Sequence, residues 1–385
     1  MRFGIFMAPF HPEAGQDPIA ALQRDLETIQ LLDRLGYDEV WVGEHHSAGT
    51  EIIPDPFMFL SYVAPQTRHI KLGTGVVSLP YHNPLWVADR AFFCDQLTRG
   101  RFMLGLGPGA LPGDAGMIGI SIEEQRSALE EDTAVLMKLL QAEGPVSHET
   151  SRYKLVEAES QYRPYRDGFD IAVAAIASPT GPRIAGQHGM GLLSIGATSV
   201  DGFDALGYHW DVVEQRAAEF GQTADRNQWR LVGPMHLAET KEQAIEDVKY
   251  GLNAWCDYTQ KILAVPHFRA AGETFEERLA WVNETGLGVI GTPDDAIEQI
   301  ERLEKQSNGG FGSYLMMDHE WANPQAQQRH YELFARYVKP HFQRVAEGPK
   351  RAEDRAIGQW EQLGDRVERA VQAATDAHFG NATDS

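Results

Sequence analysis

Apolar residues recur along this chain in two alternating rhythms, short runs bounded by glycine or proline and longer stretches at helical spacing. The short runs predict strands over residues 3–8, 39–43, 70–79, 101–107, 170–176, 191–195, 229–238 and 310–317. The longer ones predict helices over 19–35, 57–64, 85–97, 121–141, 180–188, 203–220, 241–255 and 324–337. In the first helix Leu22, Leu26, Ile29 and Leu32 fall on one face and Gly36 closes it; in the fourth, Ser121 and Glu124 are spaced for a capping box.

Three stretches break the alternation. Residues 144–166 are rich in tyrosine and charge and predict a hairpin insertion. Residues 258–288 carry little regular pattern and predict a long, lid-like loop. Beyond Pro349, residues 351–374 predict a charged helical C-terminal tail. The remaining strand-helix units fit an α/β fold of the (β/α)8 TIM-barrel type over 1–349, with the tail at 350–385. A doubly wound sheet would place a glycine-rich dinucleotide turn after the first strand, and Phe6 to Pro12 has no glycine.

Composition narrows the partners. A formal net charge of −21 argues against nucleic acid and against an anionic membrane surface. No run reaches the roughly 18 apolar residues that a membrane span requires, and the N-terminus lacks the pattern of a secretory signal. Two cysteines, Cys94 and Cys256, make no disulfide framework, and the expected location is the cytoplasm.

Candidate chemistry gathers after the predicted strands, which in a parallel barrel is the active face. His11 follows the first strand; Glu44, His45 and His46 the second; Tyr81 and His82 the third; Asp318, His319, Glu320 and Trp321 the eighth. His11 and His319 read equally well as hydrogen-bonded packing residues. Adjacent His45 and His46 point to opposite faces and no H-x-H or H-E-x-x-H spacing occurs, so no metal site is expected. Gly107 and Gly109, with Ser178 before Pro179 and a helix, suit either a phosphate clamp or an ordinary turn and helix cap. Phe10, Phe57, Met58, Trp86, Met317 and Trp321 suit either a hydrophobic substrate or barrel core.

Several segments, taken in order, resemble the bacterial luciferase-like family of flavin-dependent monooxygenases. They are Arg2-Phe-Gly-Ile-Phe6, Trp41-Val-Gly-Glu-His-His46, Gly73-Thr-Gly-Val-Val-Ser-Leu-Pro80, Leu97-Thr-Arg-Gly-Arg-Phe-Met-Leu-Gly105 and Gly291-Thr-Pro-Asp294. Pro80-Tyr-His-Asn-Pro84, Gly107-Pro-Gly-Ala-Leu-Pro112 and His319-Glu-Trp-Ala-Asn323 are most similar to limonene monooxygenase-like members.

The resemblance implies reduced FMN at the C-terminal face of the barrel. Ser178 and the following amides would hold its phosphate, helped by Arg126 and the backbone at Gly107 and Gly109, and the Gly75–Val76 peptide would be cis. Dioxygen would be activated as a C4a-(hydro)peroxyflavin, with His45 moving the proton and Glu44 or another partner fixing its ring. His82, Tyr81, His11 and Trp321 would shape the substrate side. The implied substrate is small and hydrophobic, a monoterpene such as limonene or a cyclic ketone. NAD(P)H would act indirectly through a separate flavin reductase, a transient partner, and the protein would be a homodimer. Where luciferases proper carry a reactive cysteine and a glutamate, this chain has Gly107 and Ala177, which argues against light emission. Two alternatives stand beside this reading: a deazaflavin-dependent hydride-transfer dehydrogenase on the same barrel, and a non-catalytic flavin-binding protein.

Overall fold

The structure is a computed structural model describing residues 1–8, 10–12, 15–176, 178–196, 198–263 and 269–380; the side chains of 200–207 and 380 also lie outside the description. Ala177 falls outside it. Among the described residues there are twelve strands: β1 (Arg2–Met7), β2 (Glu39–Val42), β3 (Lys71–Thr74), β4 (Val77–Ser78), β5 (Phe102–Gly107), β6 (Val146–Glu149), β7 (Lys154–Ala158), β8 (Asp170–Ala175), β9 (Gly191–Ile195), β10 (Trp229–Leu237), β11 (Val289–Gly291) and β12 (Ser313–Asp318). Eight of them close a parallel barrel in the order β1, β2, β3, β5, β8, β9, β10, β12, with β12 returning to β1. This is the predicted (β/α)8 architecture.

The barrel interior is set by a few large side chains facing glycines on neighbouring strands. A Cβ at Gly73 would stand 2.7 Å from the Trp41 ring, and one at Gly105 would stand 3.1 Å from it. Trp41 therefore fills the middle layer. Below it lies a buried charge cluster: Glu39 accepts from Arg230 Nε at 2.7 Å, from Trp41 Nε1 at 3.0 Å and from Ser313 Oγ at 2.5 Å. The Arg230 guanidinium lies 4.9 Å from the Trp41 ring centroid.

Helices leave the strands through a repeated local device. Asp17, Asp55, Asn83, Thr292 and Asn323 each cap a helix whose next residue is proline, and each side chain accepts a backbone N–H of the first turn. Pre-set proline φ and a satisfied amide start the helix at the strand end. In Pro18–Arg34 the residues Ala21, Leu26, Ile29 and Leu32 are buried, giving the helix one inner face.

Residues 144–166 do carry a hairpin, β6 with β7, antiparallel. Several predicted elements differ. The strand over 70–79 is divided into β3 and β4 by the cis Gly75–Val76 peptide. The fourth predicted helix begins at Gln125; Ser121 Oγ donates to Glu123 Oε2 instead of capping, and Glu124 occupies the cap position without a side-chain bond. The helix over 241–255 is two, Lys241–Val248 and Leu252–Lys261, because Gly251 lies so close to the Glu320 carbonyl that a Cβ would be 2.1 Å from it. The stretch read as patternless contains the helix Phe275–Glu284, started by a Thr274/Glu277 capping box, and among its described residues only 262–263, 269–274 and 285–288 lie outside regular elements. Residues 264–268 of that segment lie outside the described ones. The helices Pro112–Ile118 and Pro293–Gln306 and the strand β11 were not expected.

By backbone contacts the chain divides into two compact units, Met1–Lys339 and Pro340–Ser385. The barrel is the first. The second holds the helices Glu347–Gly358 and Trp360–Gly380, whose large apolar side chains Trp360, Val367 and Val371 are exposed. Among the described residues no helix is long and apolar enough to cross a membrane.

Candidate active site

A cavity of about 270 Å³ opens at the C-terminal ends of the barrel strands. Its wall takes Phe6 from β1, Glu44 and His45 from the turn after β2, and Gly75, Val76 and Ser78 from the break between β3 and β4. Gly109 follows β5, Ser178 follows β8, Ile195 ends β9 and Asp318 ends β12. Seven of the eight barrel strands thus deliver their last residues, or the residues just after them, to one site, and β10 supplies none of the lining.

Glu44 is the organising carboxylate. It is 3% exposed, and its Oε1 accepts from His82 Nε2 at 2.8 Å and His46 Nε2 at 3.0 Å, while Oε2 accepts the Ser78 N–H at 2.9 Å. Burial alone would raise its pKa; the two imidazoles and the amide outweigh this and pull it down to about 2. Glu44 therefore remains ionised and ties the end of β2 to β4.

His45 has different partners. Its Nε2 lies 3.4 Å from Glu51 Oε2 and its Nδ1 lies 3.4 Å from Asp114 Oδ2. Burial opposes protonation of this ring, but Glu51 and Asp114 together raise its pKa. Asp114 is itself held by the Ser47 hydroxyl at 2.6 Å and the His46 N–H at 3.0 Å. Glu51 Oε2 also accepts the Tyr258 hydroxyl at 2.6 Å. Glu51 and Tyr258 both line the cavity.

At the other side of the wall, Arg126, Ser178, Thr180 and Gly181 line the same cavity. The helix Thr180–His188 begins there without a side-chain cap, leaving first-turn amides available. Among the described residues Arg126 has no ion pair or hydrogen bond, so its guanidinium is not neutralised by the protein. Phe6, Phe10, Leu129, Trp255, Leu263 and Met317 supply an apolar part of the lining, with Gln125, Thr259 and Asp318 as further polar members.

The family model for luciferase-like monooxygenases matches residues 1–307. The chain belongs to the luciferase-like monooxygenase family. Across 340 residues, 88% of this chain and 86% of the relative, it is 46% identical to limonene 1,2-monooxygenase of Rhodococcus erythropolis. Across 354 residues, 90% of this chain and 94% of the relative, it is 40% identical to 4-hydroxyprotoasukamycin monooxygenase of Streptomyces nodosus subsp. asukaensis. Among solved structures, the oxygenating constituent of 3,6-diketocamphane monooxygenase from Pseudomonas putida, in complex with FMN, matches with a TM-score of 0.75 at 24% identity. That match covers 88% of this chain and 98% of the other, and it concerns the fold.

Within this luciferase-like barrel the Gly75–Val76 peptide is cis, as the resemblance implied. Of the residues singled out from sequence, the cavity gathers Phe10, Glu44, His45, Gly75, Val76, Gly109, Arg126, Ser178, Met317 and Asp318. The others stand behind the wall. Gly107 packs against Val76, where a Cβ would meet Val76 Cγ2 at 2.5 Å. Tyr81 sits behind Gly109, whose φ of +95° and lack of a Cβ let the phenol approach, and it accepts from Gln125 Nε2 at 2.9 Å. His82 reaches the site only through Glu44. Trp321 is fully buried, stacked on His319 at 3.9 Å and edge-on to Trp255 at 5.2 Å, so that Trp255 is the ring on the wall.

His11 belongs to a separate buried cluster, with Asp25 at 3.3 Å and Glu320 at 3.2 Å from its two nitrogens. Burial lowers its proton affinity, but the two carboxylates overcome this and lift its pKa to about 10. Their charge, added to burial, raises the cavity-lining Asp318 to about 7. Of the apolar residues offered for substrate, Phe10 and Met317 line the cavity, whereas Met58 and Trp86 are 73% and 60% exposed on outer helices. Glu51, Asp114 and Tyr258 add to these residues; Glu51 comes from the turn after β2, Asp114 from the short helix Pro112–Ile118 and Tyr258 from the helix Leu252–Lys261, where no strand-end position marks them.

Proposed function

We propose that this protein is an FMN-dependent monooxygenase that uses dioxygen to oxygenate a small hydrophobic substrate, of the monoterpene or cyclic-ketone kind. The observation that carries the reading is the polarity of the cavity. One part offers a hydroxyl, open helix amides and an unneutralised guanidinium, and the rest is a mainly apolar chamber in which one imidazole stands between two carboxylates. A mononucleotide with a terminal phosphate and a flat ring suits that pairing. Identity of 46% to a limonene 1,2-monooxygenase supports the substrate class.

Reduced FMN, when bound, supplies the electrons that activate dioxygen. The chain's own residues do the remainder. Ser178, the first amides of Thr180–His188 and Arg126 hold the phosphate. Gly75, Val76 and Gly109 give the ring a wall free of bulky polar groups. His45 carries a proton where the oxygen chemistry needs one and gives it up at a ring nitrogen. Phe6, Leu129, Ile195, Trp255 and Met317 exclude water. Glu44, fixed in its ionised form, acts by keeping His46 and His82 in place. With no dinucleotide fingerprint in the sequence, reduced flavin is supplied by a separate reductase drawing on NAD(P)H.

The cofactor assignment has a direct test in anaerobic binding titrations. Ser178→Ala is expected to weaken reduced FMN about tenfold while leaving reduced riboflavin, which lacks the phosphate, within about twofold. Equal weakening of both would remove Ser178 from phosphate binding.

A further inference from the structure

Glu51 is placed against His45 by backbone, not by its own side chain alone. Phe10 and Glu51 form an isolated antiparallel bridge, and the Thr50 carbonyl accepts the His11 N–H at 2.9 Å. Two residues further on, the Ile53 carbonyl accepts the N–H of His45 itself at 3.1 Å. The turn after β2 therefore folds back on its own start, and Glu51 has no freedom to leave the ring it faces.

Both contacts to the His45 nitrogens are 3.4 Å, too long for good hydrogen bonds, and Nδ1 has no hydrogen-bond partner. Charge, then, is what Glu51 and Asp114 supply to the ring. The short bond at Glu51 is to the Tyr258 hydroxyl, 2.6 Å away on the same oxygen. That phenol is buried, and burial with the Glu51 charge keeps it protonated far above its ordinary range, so it donates. Phe10 packs against the Tyr258 ring at 5.2 Å and holds it in register with the Phe10–Glu51 bridge.

We propose that Glu51 is a positioning residue that keeps the His45 imidazole protonated in the cavity, and that Tyr258, by donating to the same carboxylate oxygen, limits how strongly His45 feels that charge. The proposal rests on the reading of His45 as the proton-carrying group. The groups facing His45 are Glu51 and Tyr258 from one side, Asp114 of the helix Pro112–Ile118 from the other, and its neighbours Glu44 and His46. Within this set Tyr258 is the group that can be altered without changing any formal charge.

The test is a histidine NMR titration of the flavin-free full chain, with His45 assigned by its loss in His45→Ala. Glu51→Gln is expected to lower the His45 midpoint by about one pH unit or more. Tyr258→Phe is expected to raise it, and Glu51→Asp to recover part of the loss. A His45 midpoint that moves by less than about 0.3 units in Glu51→Gln, or that falls in Tyr258→Phe, would overturn the proposal; these limits are set against shifts of a unit or more for a nearby charge. Should Glu51→Gln not fold, Tyr258→Phe alone decides through the sign of its shift.

The pH profile of product formation with reduced FMN is then recorded for the same variants. A profile that shifts with the NMR midpoint supports the positioning role. If the midpoint shifts and the profile does not, the hold of Glu51 on His45 stands and the functional reading of His45 fails.

Discussion

Glu39→Ala is expected to cost the barrel about 3 to 5 kcal/mol, the range for removing one partner of a buried pair. Glu39 is 1% exposed and Arg230 is 0% exposed. Removing the carboxylate strands the Arg230 guanidinium, the Trp41 indole N–H and the Ser313 hydroxyl together, all inside the barrel. The remaining oxygen partners of Arg230, the Gln228 carbonyl at 3.1 Å, Gln228 Oε1 at 3.2 Å and Asp170 at 3.5 Å, do not replace it. Burial by itself would raise the Glu39 pKa, but Arg230 and Ser313 hold it below the usual carboxylate value. Its contribution is thus present above the unfolded pKa and is lost as the pH falls through the lowered folded value. Urea denaturation at neutral pH measures the loss. Arg2→Ala is the control: its 3.3 Å bond to Glu39 is partly exposed, and it should cost no more than about 1 kcal/mol. A loss below about 1 kcal/mol for Glu39→Ala as well would mean that the buried cluster does not hold the barrel as described.

His45→Ala is expected to lower product formation by about 100- to 10,000-fold, the scale of a positioned proton donor, while reduced FMN still binds within a few-fold. The separation follows from the layout of the cavity. Ser178, Thr180 and Arg126, the residues proposed for the phosphate, line the cavity, and no described hydrogen bond or ion pair ties them to His45. The ring is held by charge between Glu51 and Asp114, and of these two carboxylates Glu51 lines the cavity and loses its imidazole partner when the ring is gone. Dioxygen consumed by the variant should then appear as free hydrogen peroxide instead of oxygenated product. Measuring both products in one reaction checks this. Unchanged product yield would assign the proton step to another group, and loss of FMN binding in parallel would make His45 a cofactor ligand.

The barrel was legible because its strands are bounded by glycine and proline and its helices by periodic leucines, and because parallel strands bring their polar ends to one face. Glu44 and His45 were legible for the same reason. Their partners were not. Glu51 and Asp114 come from turns and a short helix whose sequence has no period, and only the folded backbone, through the Phe10–Glu51 bridge and the His46 and Ser47 bonds to Asp114, brings them to His45. The helix Pro293–Gln306 did carry a local signal, the Thr292-Pro-Asp-Asp295 cap, of the same kind as Asn83-Pro84 and Asn323-Pro324. That signal stands alone in the sequence, because the strand before it, β11, has only three residues and pairs outside the barrel order. His11, Tyr81 and Trp321 come after the ends of strands or close to them, as a barrel site requires, yet they pack behind the wall. Strand-end position fixes the rim and not which way a side chain turns.

The proposed reaction in this cavity uses reduced FMN and dioxygen to oxygenate a small apolar molecule. Its most direct measurement is a single turnover: protein loaded anaerobically with reduced FMN, mixed with isotopically labelled dioxygen and limonene or a cyclic ketone, with the organic product analysed by mass spectrometry. The account predicts a product that gains one labelled oxygen atom. Label found only in hydrogen peroxide across both substrate types, or substrate oxidation by a deazaflavin without any uptake of dioxygen, would contradict it.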